Sequence, residues 1–166
     1  MSISDQSAFS AIAGELLQTV DAAVVKLRSI AEADAVRPLA PGKWSPKQVM
    51  GHLIDSAANN HQRFVRAQQT TTLEFPGYEQ DHWVNSQNHA GRGLAELVGL
   101  WHAYNRHLTH VIAQIPEARR NVSCRIGANA PVTLGFLACD YIAHLKHHLA
   151  QVRANGKPEE GSIIGK

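Results

Sequence analysis

Apolar residues recur at helical spacing in four separate stretches of the chain. Intervals of three and four residues are typical of one buried helix face, so the pattern predicts four amphipathic helices. We place them at about residues 5–33, 46–68, 93–115 and 134–155. Four helices of this length predict an all-α protein, a four-helix bundle that occupies residues 1–166 as a single domain.

Residues at the helix ends support these boundaries. Ser45 precedes Pro46 and Gln48, an order typical of an N-cap, a first helical position and a capping box. Thr133 is predicted to cap the last helix, and Gly156 to end it.

Two stretches between the helices are predicted to be irregular. The connection of about residues 69–90 is long for a compact domain, and such connections are usually functional or cross from one end of a bundle to the other. The second stretch, residues 117–132, contains a short piece at Val122 to Ile126 with an extended pattern.

Composition narrows the class of protein. Of the 166 residues, 44% are hydrophobic and 18% charged, as in a globular domain. The net charge is +2 and the basic residues are dispersed, so we expect no nucleic-acid partner. We expect no signal peptide and no membrane span, and hence a cytoplasmic protein. Cys124, expected in a loop, and Cys139, expected on the outer side of the last helix, are predicted to be incidental thiols.

The chain contains ten histidines, and their positions decide which of them matter. His144 and His148 are four residues apart on the last helix, a spacing that lets two imidazoles bind one metal ion. At 100° per residue both lie on or beside the apolar face, whereas His147 is predicted to point outward. His52 lies at the edge of the apolar stripe of the second helix. Three histidines of the third helix are expected to face solvent: His102, His107 and His110.

Three imidazoles on two facing helices can form a metal site with open coordination positions, which is the pattern of catalytic zinc sites. Polar neighbours of these histidines are candidates to orient the rings from a second layer: Asp55, Ser56, Asp140 and Gln151. Residues of the second helix and of the long connection are candidates to line a pocket: Asn59, Arg63, Tyr78, His82 and Trp83. The alternative is that these histidines are hydrogen-bonded core residues, and the pattern alone does not separate the two.

The segment from Trp44 to Ser56, WSPKQVMGHLIDS, followed by the spacing His144-x3-His148-x2-Gln151, resembles the DinB-like/YfiT-like superfamily over nearly the whole chain. The resemblance implies a bundle with up-down-down-up topology and a long crossover between the second and third helices. It also implies a divalent metal held by His52, His144 and His148. Zn²⁺ or Ni²⁺ is expected before Fe²⁺ or Mn²⁺, since imidazole suits several of these ions.

The resemblance leaves two classes of function open. The first is a metal-dependent enzyme for a small-molecule substrate. Its site would activate either a low-molecular-weight thiol, as in an S-transferase, or water, as in a hydrolase. The second is a non-catalytic stress-related or binding protein whose metal site is structural or vestigial. Relatives are often homodimers, and we expect a homodimer here because Trp101 and Tyr104 lie on a broad apolar face of the third helix.

Overall fold

A computed structural model of the chain describes residues 8–153. Four long helices make up most of the described chain: α1 (Ala8–Arg28), α3 (Pro46–Ala67), α5 (Leu94–Ala113) and α6 (Leu134–Arg153). Shorter elements connect them: α2 (Glu32–Ala35), β1 (Thr72–Phe75), α4 (Gln80–Ser86), β2 (Ser123–Ile126), β3 (Val132–Thr133) and 3-10 turns at His89–Gly91 and Glu117–Arg119. The predicted four-helix bundle is confirmed.

The predicted caps form at two helix starts. The Ser45 side chain accepts a hydrogen bond from the Gln48 backbone N–H, and Gln48 Oε1 accepts one from the Ser45 N–H at 3.0 Å. Thr133 Oγ1 accepts from the Phe136 backbone N–H at 3.1 Å. These bonds satisfy donors that the first helical turn leaves free. The predicted end at Gly156 lies outside the described residues.

The first helix is shorter than predicted. It ends at Arg28 rather than near residue 33, and the separate turn α2 follows it. Ser29 bonds to the Lys26 carbonyl through both its hydroxyl, at 2.7 Å, and its backbone N–H, at 3.2 Å. A serine that competes for a carbonyl in this way tightens the last turn and ends the helix.

Contacts at one end of the bundle fix its topology. The Glu32 carboxylate pairs with the Lys47 ammonium near the start of α3 and accepts a hydrogen bond from the Leu94 backbone N–H at the start of α5. Helices α3 and α5 therefore begin at the same end and run parallel. His52, near the start of α3, meets His144, in the second half of α6, so α6 runs antiparallel to both. Since α1 finishes beside α2 at this end, the order is up-down-down-up.

The crossover between α3 and α5 is structured rather than irregular. Strand β1 pairs in parallel with β2, with Thr72 beside Ser123, and β3 adds to β2 in antiparallel orientation. The piece expected at Val122 to Ile126 is confirmed as a strand, but β1 and β3 were not predicted. Cys124 lies buried in β2 rather than in a loop, whereas Cys139 is exposed, as predicted. A small sheet thus accompanies the helices.

The core is apolar and lies between the four long helices. Its largest fully buried side chains are Trp101, Phe9, Phe64, Leu16, Met50, Leu53, Leu97, Leu108, Ile112, Leu134, Leu145 and Leu149. Because Trp101 is fully buried, it does not contribute to the exposed apolar face on which the dimer prediction rested. A buried polar pair crosses this core, in which the Tyr141 hydroxyl donates to Asn105 Oδ1 at 2.6 Å. Buried polar groups need such partners.

The histidines of α5 divide into two groups. His107 and His110 are exposed, as predicted. His102 is half-buried instead, with its Nε2 atom 2.7 Å from the Asp21 carboxylate of α1. The sequence pattern did not predict this pair, because Asp21 and His102 lie on neighbouring helices but are 81 residues apart along the chain.

Helix α1 is long and apolar enough, in length and composition, to cross a bilayer, which the sequence analysis did not expect. One such helix near the N-terminus is weak evidence for a membrane, because core helices of globular proteins pass the same test. In this structure its buried stripe, including Phe9, Leu16 and Val20, belongs to the shared core.

Candidate metal centre

Three histidine side chains converge where the start of α3 faces α6. The His144 Nε2 atom lies 3.2 Å from the Nε2 of His52 and 3.1 Å from the Nε2 of His148. Helical periodicity explains the convergence, because residues 144 and 148 are one turn apart on α6 and the antiparallel α3 brings His52 opposite them. His147 is exposed on the outer side of α6, as predicted.

The spacing of these nitrogens fits a shared metal ion. Two nitrogens that each lie about 2.0–2.1 Å from one ion are roughly 2.8–3.4 Å apart for octahedral to tetrahedral angles. The three histidines offer ligand atoms that all lie within 4.8 Å of one another. The donor set is therefore compatible with a divalent ion that prefers imidazole.

Hydrogen bonding among the rings does not account for this arrangement. A neutral imidazole Nε2 carries either one proton or one lone pair, so His144 Nε2 can make a well-aligned hydrogen bond in only one of its two short contacts. The other contact is then either a poorly aligned share of the same proton or a contact between two lone pairs or two protons. A cation at the centre removes this conflict, because all three lone pairs then point at positive charge.

Gln151 holds His148 in the form that binds a metal. The His148 Nδ1–H donates to Gln151 Oε1 at 2.9 Å, which leaves the lone pair on Nε2, facing the other two rings. Metal-binding histidines are usually oriented by such a partner. The second amide atom of Gln151 donates to His147 Nε2 at 3.1 Å. Gln151 therefore occupies the position that the sequence analysis gave it.

The other predicted orienting residues lie elsewhere. Asp55 accepts a hydrogen bond from Gln87 at 2.8 Å, and His89 Nε2 lies 3.4 Å from each of its carboxylate oxygens. Ser56 bonds to Asn60. Asp140 makes no hydrogen bond to His144 within residues 8–153. Among residues 8–153, the buried Nδ1 atom of His52 has no hydrogen-bond partner.

The site keeps its histidines free of protons. Burial, with the charges of the other two imidazoles, lowers the pKa of His52 to about 3. Burial and the neighbouring histidines lower the pKa of His144 to about 4, and burial also lowers the pKa of His148. Near neutral pH, protons therefore do not compete with a metal for these nitrogens.

Two clefts each include one of the three histidines in their walls. The first, which we call the Trp44 cleft, has a volume of about 570 Å³ and is lined by Lys43, Trp44, Val49, Asp81, His148 and Gln151, among others. The second, the Arg63 cleft, has a volume of about 310 Å³ and is lined by Ser56, Asn60, Arg63, Tyr78, Asp140 and His144, among others. Each cleft thus reaches one imidazole of the site, whereas a closed structural metal site would be sealed.

Arg63 and Tyr78 are the predicted pocket residues that the structure places in a cleft with a histidine of the centre. Burial raises the pKa of Tyr78 to about 12, so its hydroxyl stays protonated near neutral pH. Trp83 packs on the Tyr78 ring with centroids 5.0 Å apart, and so supports the wall from behind. Asn59 donates instead to the Asp55 backbone carbonyl at 2.9 Å, and His82 is exposed on α4.

Sequence reasoning missed two contributors to the surroundings of the site. The Trp44 ring lies 4.9 Å from His52 and 6.4 Å from His148, measured between centroids, and covers one side of the centre. Its position before the Ser45 cap, five residues before Val49, is that of a hydrophobic staple and was a usable signal. His89 of the crossover had no such signal, because its partner Asp55 is 34 residues away in the chain.

Comparison with known proteins agrees with this geometry. A family model described as the DinB superfamily matches residues 15–152. A solved structure described as "YfiT from Bacillus subtilis is a probable metal-dependent hydrolase with an unusual four-helix bundle topology" is similar in fold. Its TM-score is 0.74 at 18% sequence identity, and the match covers 92% of this chain and 86% of that one. No curated protein sequence matches this chain. With the family match extending over most of its length, this chain belongs to the DinB superfamily.

Proposed function

We propose that this protein is a metal-dependent enzyme acting on a small molecule, with His52, His144 and His148 as the ligands of one divalent ion. The observation that carries the proposal is the pair of Nε2 contacts at 3.1 and 3.2 Å to one His144 nitrogen, which cannot both be well-aligned hydrogen bonds. We propose Zn²⁺ or Ni²⁺ as the ion, before Fe²⁺ or Mn²⁺.

Three neutral ligands favour a fourth ligand that is negatively charged. When bound there, a divalent ion acts as a Lewis acid and lowers the pKa of a water or a thiol in its open position, so that either becomes a nucleophile near neutral pH. A water leads to hydrolysis, and a low-molecular-weight thiol leads to S-transfer. Because each cleft reaches one of the histidines, the two clefts support a site that receives two reactants.

Residues around the histidines have separate roles in this proposal. Gln151 fixes the orientation of His148, and Trp44 excludes water from one face of the imidazoles. The protonated Tyr78 hydroxyl, which shares a cleft with His144, is placed to donate a hydrogen bond or a proton to the substrate.

Metal content tests the ligand assignment. Protein purified without a histidine tag is expected to carry one divalent ion per chain, measured by elemental analysis. His148→Ala should lose it, while His147→Ala, one position away on the exposed side of α6, should keep it. Full occupancy in His148→Ala would refute the assignment.

Cobalt substitution separates thiol transfer from hydrolysis. A Co²⁺–thiolate bond adds an intense near-ultraviolet charge-transfer band, so a panel of small thiols reports direct binding. A band that appears with thiol and is absent in His148→Ala supports S-transfer. A spectrum that no thiol changes refutes S-transfer and leaves hydrolysis as the proposal.

The non-catalytic alternative makes a different prediction. A structural ion contributes its binding energy to folding, so removing it would unfold the chain. The apolar core between the helices lies apart from the three histidines, so we expect the chelated protein to stay folded. Circular dichroism after chelation distinguishes the two: loss of helical signal would support the structural role.

We also propose that the protein is a homodimer. The buried Trp101 does not support this, but Leu100 on the same helix is 42% exposed, and twofold pairing is the commonest assembly. A monomer mass by light scattering at micromolar concentration would refute it.

A further inference from the structure

Among the described residues, Arg63 is a buried cation without an anionic partner. Its side chain is only 8% exposed, and it is the arginine classed as buried among residues 8–152. Buried arginines are normally paired, because desolvating an isolated charge is costly. Within residues 8–153, however, no carboxylate lies within 4 Å of its nitrogens.

The neutral contacts of Arg63 do not compensate its charge. Its Nη1 donates to Asn60 Oδ1 at 3.4 Å, its guanidinium carbon lies 5.5 Å from the centroid of the Phe75 ring, and its Nε is buried with no acceptor among the described residues. Burial lowers its pKa, but an arginine keeps its proton near neutral pH. The planar guanidinium can therefore still bind an anion through parallel hydrogen bonds.

The position of Arg63 relates it to the three histidines. It lies eleven residues, or about three helical turns, after His52 on α3, so both project from nearly the same side of that helix. Helical side chains lean toward the N-terminus of their helix, which here is the end that carries His52. Arg63 and His144 line the same cleft, together with the neutral donors Tyr78, Asn60 and Ser56.

We propose that Arg63 forms an anion-binding subsite beside the three histidines and that the substrate carries a carboxylate or phosphate group, which this subsite holds. The statement about the substrate rests on the proposed function, whereas anion binding by the protein does not. The exposed Asp140 carboxylate lines the same cleft without reaching Arg63, so it opposes the anion and its removal should strengthen binding.

Anion titration of the full-length protein tests the subsite. Inorganic phosphate and acetate serve as probes in isothermal titration calorimetry at constant low ionic strength, since screening weakens charge interactions. Arg63→Gln is expected to weaken binding by about tenfold or more. The matched control Arg66→Gln removes an equal charge one turn away, where the side chain is exposed, and should change affinity by less than about twofold.

Two further variants keep Arg63 in place. Asn60→Asp puts a carboxylate where the amide oxygen now accepts from the guanidinium, and should weaken anion binding by about tenfold. It replaces Arg63→Gln as the test if that variant fails to fold. Asp140→Asn should raise affinity by about two- to fivefold.

A chelator separates this subsite from the metal centre. An anion held by Arg63 stays bound in the chelated protein and is lost in Arg63→Gln. An anion held by a metal would be lost on chelation and kept in Arg63→Gln. That result would overturn the subsite. The subsite would also be overturned if neither phosphate nor acetate binds, or if Arg63→Gln and Arg66→Gln lose the same anion affinity. The probe that binds more tightly identifies the anionic group, and this result does not depend on whether the chain carries a metal.

Discussion

Replacing Gly51 with alanine tests how closely the crossover packs against α3, the helix that carries His52. Gly51 lies inside α3, immediately before His52, and a Cβ there would overlap the ring carbons Cγ and Cδ2 of His89. The His89 ring is itself buried beside the Asp55 carboxylate, so it has little room to move. The glycine is thus needed for space.

The structure gives the sign and size of the effect. Alanine in a helix interior is favoured over glycine by about 1 kcal/mol. Overpacking costs about 1–3 kcal/mol, and moving His89 away from buried Asp55 adds about 1–3 kcal/mol for a carboxylate that loses a partner. The net destabilisation of Gly51→Ala is therefore about 1–5 kcal/mol.

Chemical denaturation followed by circular dichroism measures this change. Gly14→Ala in α1 and Gly99→Ala in α5 are matched controls, because a Cβ at either position meets nothing within 4 Å, and both should be stabilising by up to about 1 kcal/mol. In the double variant Gly51→Ala, His89→Gly the destabilisation should be smaller than the sum of the two single losses, since glycine at position 89 removes the three atoms nearest the new Cβ. A Gly51→Ala protein as stable as the controls would refute the reasoning.

Three further predictions follow from other contacts. Gln151→Leu should weaken metal binding by about 10–100-fold, measured by competition with a chromophoric chelator, because His148 loses its orienting acceptor; unchanged affinity would contradict that role. In chelated protein, the free energy of unfolding should fall as the pH falls below 6.5, because the unfolded chain protonates His52 while the fully buried residue, with a pKa of about 3, does not. His52 alone accounts for about 2 kcal/mol at pH 5 by urea denaturation, and His52→Gln should flatten the dependence. Cys139 should react with a thiol reagent in the native state, whereas Cys124, whose pKa burial raises, should react only after unfolding; two fast thiols would argue against the burial of Cys124.

Local patterns in the sequence predicted the helices and their starts. The Ser45 capping box and the Thr133 cap each involve residues within three positions of one another, so the sequence contains the whole interaction. The outward position of His147 and the shared face of His144 and His148 likewise follow from helical periodicity alone.

Interactions between distant segments were not predictable from one sequence. Strand β1 pairs with β2 about fifty residues later, and the four residues of each carry no strong alternation. Asp55 was assigned to the metal site because it is near His52 in the chain, but its partners Gln87 and His89 come from the crossover. The prediction for Asp55 rested on its distance from His52 along the chain, whereas its partners in the structure are set by the packing of the crossover against α3.

The parallel course of α3 and α5 has a consequence for how this protein can change over evolution. Two parallel neighbours require a chain segment that returns along the whole bundle, and here that segment contributes Tyr78 and Asp81 to the walls of the two clefts. The three histidines, by contrast, belong to α3 and α6. Substitutions or insertions in the crossover can therefore reshape what the clefts admit while the rigid helices keep the imidazoles in place. The crossover walls of the clefts and the placement of the three histidines are in this way encoded by different parts of the gene.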